Sequence, residues 1–420
     1  MKLFNFVHLR VALFLAIREL KRTSLWTTLL ITFVMMLTFL NLIVVRGILV
    51  GLISGSISAN REFYSGDVLV TPLKTKNYII NSVEIEDAVK AYSGTNKYSV
   101  RYIDNIRLEA NYQNRFRQDQ KVDSIGAVLA GINISNEQLV TGLPRKIIAG
   151  QFINENDIED VVVGATLLGN YSSTDESAIT TNLPNIDVGD KIRIIVNGNV
   201  REVRIKGVIR TKSQSTDSRV YMNENIARQL IGRNDLFADE IAILLKPGYT
   251  PQEGKNYLVN QDFTDRAVIR TDIEAVPPFV KDIQVTFDIL GNVIGSIGLA
   301  VSSITIFIVI FVNAITRRKY IGILKGIGVS SLSILFSYVF QALAYAIVGT
   351  IIASILIFAL IKPYFLQNPF NFPFSDGVLE ADYLDVTIRA MILLGATIVA
   401  GFVPALLVVR QNTLDAILGR

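Results

Sequence analysis

The sequence predicts an α-helical membrane protein with four transmembrane helices and an α+β extracytoplasmic domain inserted between helices 1 and 2. Four long apolar runs contain no charged residue, and a polar stretch with alternating β-rich and helical patterns separates the first run from the second. The composition agrees, because 50% of the residues are hydrophobic and the mean hydropathy is +0.40, which is high for a soluble protein.

The four apolar runs are Thr23–Val45, Ile289–Thr316, Gly326–Ile361 and Ala390–Val409. Each can cross ~30 Å of hydrocarbon, which takes about 20 helical residues. The third run is longer than one span, so we assign its first residues to a cytoplasmic turn. The predicted arrangement is a cytoplasmic interfacial helix (1–22), a first span (23–46), the extracytoplasmic domain with stalk ends (47–288), a second span (289–316), a short cytoplasmic segment (317–330), a third span (331–361), a short outer loop (362–389), a fourth span (390–409) and a cytoplasmic tail (410–420).

The basic residues predict the orientation of these spans. Residues 47–288 hold 27 Lys and Arg against 31 Asp and Glu, whereas the rest of the chain holds 14 against 6. Lys and Arg are enriched in short cytoplasmic flanks, and the segment 317–330 contains four of them and no acid. We therefore expect a multi-pass membrane protein with both termini in the cytoplasm. Because the positive charge lies beside the apolar runs, no nucleic-acid partner is expected.

The sequence offers little material for enzyme chemistry. It has no cysteine and one histidine, His8, which leaves thiolate, zinc and Ser-His chemistry without ligands or bases. We expect His8 to be a surface residue of the interfacial helix. The acidic cluster Asp157, Glu159 and Asp160 is better explained as a solvated loop than as a metal site. No catalytic residue, metal or cofactor is predicted, and the charge-free spans argue against an ion-coupled carrier.

Short sequence signals predict the elements of the inserted domain. Asn197-Gly198 between two apolar runs predicts a β-hairpin, Asn223 is a helix N-cap residue, and Thr250-Pro251 is typical of a cap followed by proline at the first helical position. A division into two lobes is expected within residues 100–165. The predicted strands are Asp67–Thr71, Ala127–Gly131, Lys191–Val196, Arg201–Ile209 and Glu240–Leu245, and the predicted helices are Val83–Tyr92, Asn223–Ile231 and Pro251–Asn260.

Glycines recur every four residues at the outer ends of the first two spans. Gly47, Gly51 and Gly55 follow the first span, and Gly291 and Gly295 begin the second. Small residues at this spacing let helix backbones approach closely. We therefore expect the two glycine faces to pack helices 1 and 2 together, with chance spacing as the alternative.

Aromatic and basic residues mark two contacts with membrane lipid. Residues 4–22 mix apolar side chains with Arg10, Arg18, Lys21 and Arg22, which is typical of a helix lying on the cytoplasmic leaflet. The aromatic residues of 364–374 suit the lipid headgroup level of the outer leaflet.

The most specific stretch is the basic segment that begins at Arg317 and ends at Ser330. It combines a cluster of positive charge, an Ile-Gly pair, a Leu-Lys pair and two further glycines. It resembles the signature of FtsX-like permeases, the membrane subunits of MacB/LolC-type ABC transporters, with Tyr320 in place of the usual Glu and Gly326 in place of the usual Ala. The ending Gly401–Ala405 followed by Leu414–Leu418, and Val188–Lys191 before paired strands, are similar to that family too. The residues that match the ATPase-coupling pattern, with their neighbour Lys319, are Arg317, Arg318, Lys319, Ile321, Gly322, Leu324, Lys325 and Gly328.

The resemblance implies a permease that transmits ATP-driven motion to the extracytoplasmic domain, for export or membrane extraction of a lipoprotein, lipid or peptide-like substrate. It implies two copies of an ABC-type ATPase, a second copy of this permease or a homologous one, and in some relatives an extracytoplasmic adaptor or carrier. No phosphate-binding loop occurs in these 420 residues, so ATP hydrolysis is expected on a partner. The alternatives are a membrane-anchored receptor or scaffold, and an activator of cell-wall hydrolases without transport.

Overall fold

The computed structural model describes residues 6–112, 122–172, 181–372 and 374–410. It divides into two compact units: a membrane unit (residues 1–51, 283–370 and 377–420) and an inserted domain (residues 52–282 with 371–376). The helices are α1 (Phe6–Arg22), α2 (Leu25–Asn60), α3 (Ser82–Ala91), α4 (Ile134–Thr141), α5 (Gln214–Asp217), α6 (Glu224–Ile231), α7 (Pro251–Val259), α8 (Pro278–Thr316), α9 (Arg318–Gly326), α10 (Ser331–Leu356), α11 (Lys362–Gln367) and α12 (Tyr383–Val409). The strands are β1 (Val68–Pro72), β2 (Thr95–Ala110), β3 (Asp123–Ile132), β4 (Ile147–Gly150), β5 (Asp160–Gly164), β6 (Lys191–Val196), β7 (Asn199–Ile209), β8 (Arg219–Asn223), β9 (Glu240–Leu245), β10 (Ala267–Thr271), β11 (Phe370–Phe372) and β12 (Ser375–Gly377).

Four helical stretches are long and apolar enough to cross a membrane. They cover Leu25–Ser65, Pro278–Thr316, Ser331–Gln367 and Tyr383–Val409, and a β-rich domain lies between the first two in sequence. The predicted fold class is therefore confirmed. The helices extend past the uncharged runs, because a charged side chain such as Arg46 leaves the backbone hydrogen bonds of a helix intact. The first turn of α2 carries Trp26, the only tryptophan of the chain, with 83% of its surface exposed.

The membrane unit packs its helices at small residues. A Cβ on Gly349 of α10 would lie 2.8 Å from the Cβ of Met35 and 3.0 Å from the carbonyl oxygen of Thr32, so α10 and α2 touch backbone to backbone here. A Cβ on Gly401 of α12 would lie 3.1 Å from the Cβ of Ala342 of α10, so these two helices also approach closely. Close approach without polar groups is the normal basis of helix association in lipid.

Charged side chains meet where the uncharged run of α2 ends and the uncharged runs of α8 and α12 begin. Arg46 of α2 lies 3.3 Å from Asp385 of α12 and 3.9 Å from Asp288 of α8, and Arg389 lies 2.8 Å from Asp385. These four residues flank the uncharged spans, so their ion pairs join three helices outside the charge-free zone.

The glycine prediction is wrong for the first glycine cluster. Gly47 and Gly51 of α2 face the backbone of residues 378–380 rather than α8, and the Glu380 N–H donates to the Gly47 carbonyl at 3.0 Å. Gly55, in the inserted domain, faces Ser375. The glycine face of a helix leaves room for a loop backbone as well as for a second helix. The spacing rule considers only the second helix, so it could not predict this contact. Gly291 and Gly295 of α8 do face α2, at ordinary contact distances of 3.5 and 3.6 Å from Arg46 and Leu42.

The inserted domain is built on one ten-stranded, mostly antiparallel sheet. Its strand order is β10-β1-β9-β2-β3-β8-β5-β7-β4, and β6 pairs with both β2 and β7. The pairs β3–β8 and β5–β7 are parallel. The long strand β2 pairs with β9 through its first half and with β3 through its second half, so it belongs to both ends of the sheet.

The two largest hydrophobic cores of this domain lie in separate lobes. One core lies among β1, β9, β10, α3 and α7, and the other lies among the second half of β2, β3, β5–β8 and α6. The chain passes between them inside β2 near Arg101, within the predicted range 100–165, and returns between Ile231 and Ala238. The lobes are parts of one continuous sheet.

Local sequence signals in this domain are confirmed. Asn197 and Gly198 form the two-residue turn between β6 and β7, both with positive φ (49° and 84°), as the primed hairpin turns require. The Asn223 side chain accepts from the Asn225 N–H at the start of α6. Thr250 and Glu253 form a complete capping box at the start of α7.

The close contact at Gly51 predicts a steric effect that can be measured. A Cβ at this position would lie 1.8 Å from the Val378 carbonyl oxygen. Although Ala favours a helix over Gly by about 1 kcal/mol, we expect Gly51→Ala to destabilise the protein by about 1–3 kcal/mol through overpacking. The midpoint of thermal aggregation in detergent, followed by size-exclusion chromatography, should fall by several degrees.

The matched control is Gly395→Ala in α12, where a Cβ meets nothing within 4 Å. This variant should retain or raise the midpoint. Equal midpoints for the two variants would contradict the packing of α2 against residues 378–380.

Candidate functional site

The segment 317–330, which we call the coupling segment, forms a separate short helix between two spans. Helix α8 ends at Thr316, α9 occupies Arg318–Gly326, and α10 begins at Ser331. Gly328 ends α9 with φ +95°; its N–H donates to the Lys325 carbonyl, and the Val329 N–H donates to the Leu324 carbonyl, both at 3.0 Å. This is a Schellman C-cap, which requires the left-handed conformation that glycine adopts freely.

The inner face of α9 belongs to the core of the helix bundle. Ile321 is 4% exposed, Gly322 is buried, and Leu324 packs against the same core. Ile321, Gly322 and Leu324, which the sequence assigns to the ATPase-coupling pattern, therefore fix α9 to the bundle. The Ile-Gly and Leu-Lys pattern of the signature is explained by helical spacing, because residues three and four apart share a face.

Two charged residues of the coupling segment tie it to other helices. Arg317, at the N-cap of α9, forms an ion pair with Glu19 of α1. The Lys325 ammonium donates to the carbonyl of Val409 at the end of α12, where unpaired helix carbonyls favour a cation. The helix is thus held on three sides, by α1, by α12 and by the core.

The remaining face of α9 is exposed and mixes charge with apolar surface. Tyr320 is 67% exposed, Ile323 46% and Ile327 73%, and Lys319 is exposed beside them. Arg318 is half-exposed and Gly328 lies at the exposed end. Large apolar side chains that lie together in a basic setting are typical of a protein interaction site.

His8 is not the surface residue that the sequence predicted. It is half-buried, and its Nδ1 lies 3.0 Å from the Ser330 hydroxyl and 3.3 Å from the Ser333 hydroxyl. Ser330 is also the N-cap of α10, accepting from the Ser333 N–H at 3.2 Å. Contacts between residues more than 300 positions apart are invisible in a single amphipathic pattern.

The inserted domain contains a buried network of four charged side chains, which we call the ionic core. Arg101, Glu137, Arg219 and Glu240 are between 0 and 7% exposed. Arg219 holds both oxygens of Glu240 at 2.8 and 2.9 Å, and Arg101 holds Glu137 at 2.8 and 3.0 Å and Glu240 at 3.2 Å. Such bidentate pairs compensate the cost of removing charges from water.

Tyr64 connects the ionic core to the chain that leaves α2. It lies in the turn Arg61–Ser65, which directly follows α2 and has the wider π-helical hydrogen bonding. Its hydroxyl donates to Glu240 at 2.9 Å, and its carbonyl accepts from Arg101 at 2.7 Å. Its ring lies 4.8 Å from the Arg219 guanidinium and 5.4 Å from that of Arg101. The end of this helical stretch is therefore fixed to β2, β8 and β9 together.

The electrostatics of the ionic core follow from its burial and its pairing. Burial alone would raise the pKa of Glu240, but Arg219, Arg101 and the Tyr64 hydrogen bond outweigh it and lower this pKa to about 2. Burial, with the Glu240 carboxylate, raises the pKa of Tyr64 to about 12. Burial opposes the charge of Arg101, but Glu137 and Glu240 outweigh burial and raise its pKa. The charge of Arg219 is likewise opposed by burial, but Glu240 outweighs it and raises the pKa of Arg219, so Arg101, Arg219 and Glu240 are charged at neutral pH.

No group of three or more metal-ligating side chains was found among residues 6–112, 122–172, 181–372 and 374–410. Within the predicted acidic cluster, Asp160 is only 8% exposed and pairs with Arg204 at 2.8 Å, and Asp157 pairs with Lys206. The solvated-loop interpretation is therefore wrong for Asp160, whose carboxylate helps to fix β5 against β7.

Sequence reasoning missed the ionic core, Glu19 and Gly349. Arg101 and Arg219 lie among apolar residues in strands β2 and β8. A charged residue at a strand position that faces the core was the signal that could have revealed the ionic core. Gly349 is a glycine in the middle of a charge-free span, where close helix packing is its usual cause.

An apolar four-span bundle, a basic helix after the second span and an inserted α+β domain together define the class of multi-pass membrane proteins with an inserted domain. Residues 292–413 match the FtsX-like permease C-terminal family. The predicted resemblance to permeases of the FtsX/MacB type is confirmed over these residues. The family-like motif at Leu414–Leu418 lies outside the described residues, as does the predicted tail beyond Arg410.

Two relatives show how much of the chain is shared. The macrolide export ATP-binding/permease protein MacB 1 of Yersinia pestis bv. Antiqua (strain Antiqua) is 24% identical over 235 residues, covering 54% of this chain and 34% of the relative. The chain thus matches about a third of that relative's length. An uncharacterized ABC transporter permease of Methanocaldococcus jannaschii is 22% identical over 253 residues, covering 57% of this chain and 66% of the relative.

Two solved structures are similar to part of the chain. The periplasmic region of MacB from Actinobacillus actinomycetemcomitans is 15% identical, with a TM-score of 0.34, covering 51% of this chain and 92% of that one. The extracellular domain of the noncanonic ABC-type transporter YknZ from Gram-positive bacteria is 12% identical, with a TM-score of 0.31, covering 49% of this chain and 98% of that one.

The ionic core predicts how stability depends on pH. The folded-state pKa of Glu240, about 2, is below its ordinary value of 4.5, so its contribution is fully present above pH 4.5 and is lost as the pH falls toward 2. A shift of this size corresponds to about 3 kcal/mol. Glu240→Gln should lose about this much at pH 7 and show a smaller further loss between pH 4.5 and 2, measured by pulse proteolysis in urea of the full chain.

Glu62→Gln is the control, because Glu62 forms an exposed ion pair with Arg145 at 3.3 Å. Exposed pairs contribute about 0–1 kcal/mol. If Glu240→Gln unfolds at the same urea concentration as Glu62→Gln, the ionic core does not stabilise this domain.

Proposed function

We propose that this chain is the permease subunit of an ABC transporter in the bacterial cytoplasmic membrane, driven by an ATPase on another domain or chain. The single observation that carries the proposal is the construction of α9. One face is held by the bundle core, by Glu19 and by the Val409 carbonyl, and the opposite face presents Tyr320, Ile323 and Ile327. A rigidly anchored helix with an exposed apolar face can both dock a partner and pass on its movement.

The direction of that movement follows from the connections of α9. It follows α8 directly and precedes α10, so a push on its exposed face would reach both spans through the chain. The contact of Gly349 with Met35 would carry the displacement of α10 to α2. ATP binding would supply the required difference in affinity between the two states. The transported substrate is proposed as a lipoprotein, lipid or peptide-like molecule.

The assembly is proposed to contain two such permeases, identical or homologous, and two ATPase subunits. Support comes from the ATP-binding/permease description of the MacB relatives and from the exposed apolar faces of α2 and α8, where Phe33, Val293 and Ile297 are 52–60% exposed. An adaptor or carrier beyond the membrane is a further proposed partner.

Docking on α9 predicts a specific loss of ATPase capture. Ile323→Asp and Ile327→Asp each place a charge in an apolar contact, and we expect about tenfold weaker binding, since central interface residues contribute about 1–2 kcal/mol or more. The measurement is the amount of ABC ATPase that copurifies with the permease in mild detergent.

The control is Val200→Asp, which changes an equally exposed apolar residue (60%) on β7. It should leave capture unchanged, and all three variants should keep the thermal midpoint of the native protein. Undiminished capture by both isoleucine variants would refute docking on this face. Absence of the ATPase from the native sample would favour a receptor or scaffold.

The orientation of the chain can be tested directly because it contains no cysteine. Tyr320→Cys and Val200→Cys introduce single thiols at positions that are 67% and 60% exposed. On intact cells an impermeant maleimide should modify the cysteine at position 200 and not the one at 320. Permeabilised cells should show modification of both, and labelling of position 320 in intact cells would overturn the orientation.

A further inference from the structure

The N-terminal helix α1 contacts both ends of the coupling segment. Near its C-terminal end, Glu19 pairs with Arg317, the residue that precedes α9. Near its N-terminal end, the Nδ1 of His8 lies 3.0 Å from the hydroxyl of Ser330, the residue that precedes α10. The later residue of α1 contacts the start of the coupling segment and the earlier residue contacts its end, so α1 runs antiparallel to this segment.

The two contacts are separated by a rigid element. Residues 8 and 19 lie on one uninterrupted helix, about 16 Å apart along its axis at 1.5 Å per residue. The coupling segment must cover the same distance between Arg317 and Ser330. Helix α1 therefore fixes the span available to α9, including the position of its exposed face.

Helix α1 is itself fixed on two sides. Ala12 and Ala16, one turn apart, are 0 and 2% exposed, so a small-residue face is buried. On the other side Leu13, Phe14 and Ile17 are 48–61% exposed, which suits the interfacial layer of a membrane. The helix is thus placed to hold α9 at a set depth relative to the lipid surface.

We propose that α1 positions the coupling helix α9, with Glu19 and His8 as the positioning residues at its two ends. The role deepens the proposed function, because the depth and angle of α9 determine how its exposed face meets the ATPase. Neither residue is expected to touch nucleotide or substrate.

The first test is a charge swap read by hydrogen exchange of the backbone amides of residues 318–327, in the full chain in lipid nanodiscs. Glu19→Arg places two like charges together and should raise exchange about fivefold or more. The double variant Glu19→Arg/Arg317→Glu restores an ion pair of reversed polarity and should return to within about twofold of the native protein.

Glu84→Arg is the matched control, since it breaks the ion pair of Glu84 with Arg266 inside the inserted domain. It should leave exchange in residues 318–327 unchanged. Native-like exchange in Glu19→Arg, or a double variant as fast as the single one, would overturn the role of Glu19.

The second test uses the chemistry of His8. Asparagine can place a hydrogen-bonding atom near the position of Nδ1, whereas leucine of similar size cannot. His8→Asn should keep native exchange in residues 326–333, and His8→Leu should raise it about threefold to fivefold, the range of a lost neutral hydrogen bond. Equal exchange in the two variants would overturn the role of His8.

A third measurement connects the position of α9 to coupling. In the copurified complex, Glu19→Arg should lower kcat for ATP hydrolysis about threefold or more with KM for ATP unchanged, and the charge swap should recover it. If kcat is unchanged in Glu19→Arg while hydrogen exchange is altered as expected, the link from α1 to the ATPase is overturned. If the native permease captures no ATPase, the proposed function fails, while the exchange results still decide whether α1 positions α9.

Discussion

The inserted domain depends on the pairing of two arginines with two glutamates at its centre. Arg101 lies where β2 passes from one lobe to the other, Arg219 starts β8 and Glu240 starts β9. Removing one member would leave a charge buried without a partner, which costs about 3–5 kcal/mol. The network therefore selects one arrangement of the two lobes, and through Tyr64 it also selects the position of the turn that follows α2. A purely apolar junction of the same volume would tolerate sliding that this network forbids.

The helices of the membrane unit are also held in specific positions, although their apolar runs contain no charged residue. Where Gly349 meets Met35, and where Gly51 meets Val378, backbones lie too close for any side chain. Such a contact fixes the register of the two segments, because sliding one of them by a residue would place a side chain where the glycine now lies. In the described part of this unit, ion pairs join Arg46 to Asp385 beyond one end of the apolar zone and Glu19 to Arg317 beyond the other. Close backbone contacts therefore fix the helices within the apolar zone, and ion pairs connect them at its two ends.

The features that could be predicted from sequence are those determined by local chemistry. The Asn197-Gly198 turn, the Thr250 cap and the four apolar spans each follow from a few neighbouring residues, and β6 and β9 have the predicted bounds. The sequence marks the coupling segment between the second and third spans, but it does not show which of its residues are buried, because burial of Ile321 depends on helices far away in sequence. The ionic core joins residues up to 139 positions apart. A charged residue predicts exposure by default, and only the folded sheet reveals the opposite charge that makes burial tolerable.

One indole gives this protein a native optical reporter. Trp26 is the only tryptophan and lies almost fully exposed in the first turn of α2, three residues after the linker from α1 begins at Thr23. Its fluorescence wavelength depends on the polarity around the ring, and aromatic rings at such helix ends favour the headgroup layer. Emission from the unlabelled protein would therefore follow changes in depth or tilt of α2 during nucleotide turnover. Brominated or spin-labelled lipids would quench this emission according to how deep the indole lies.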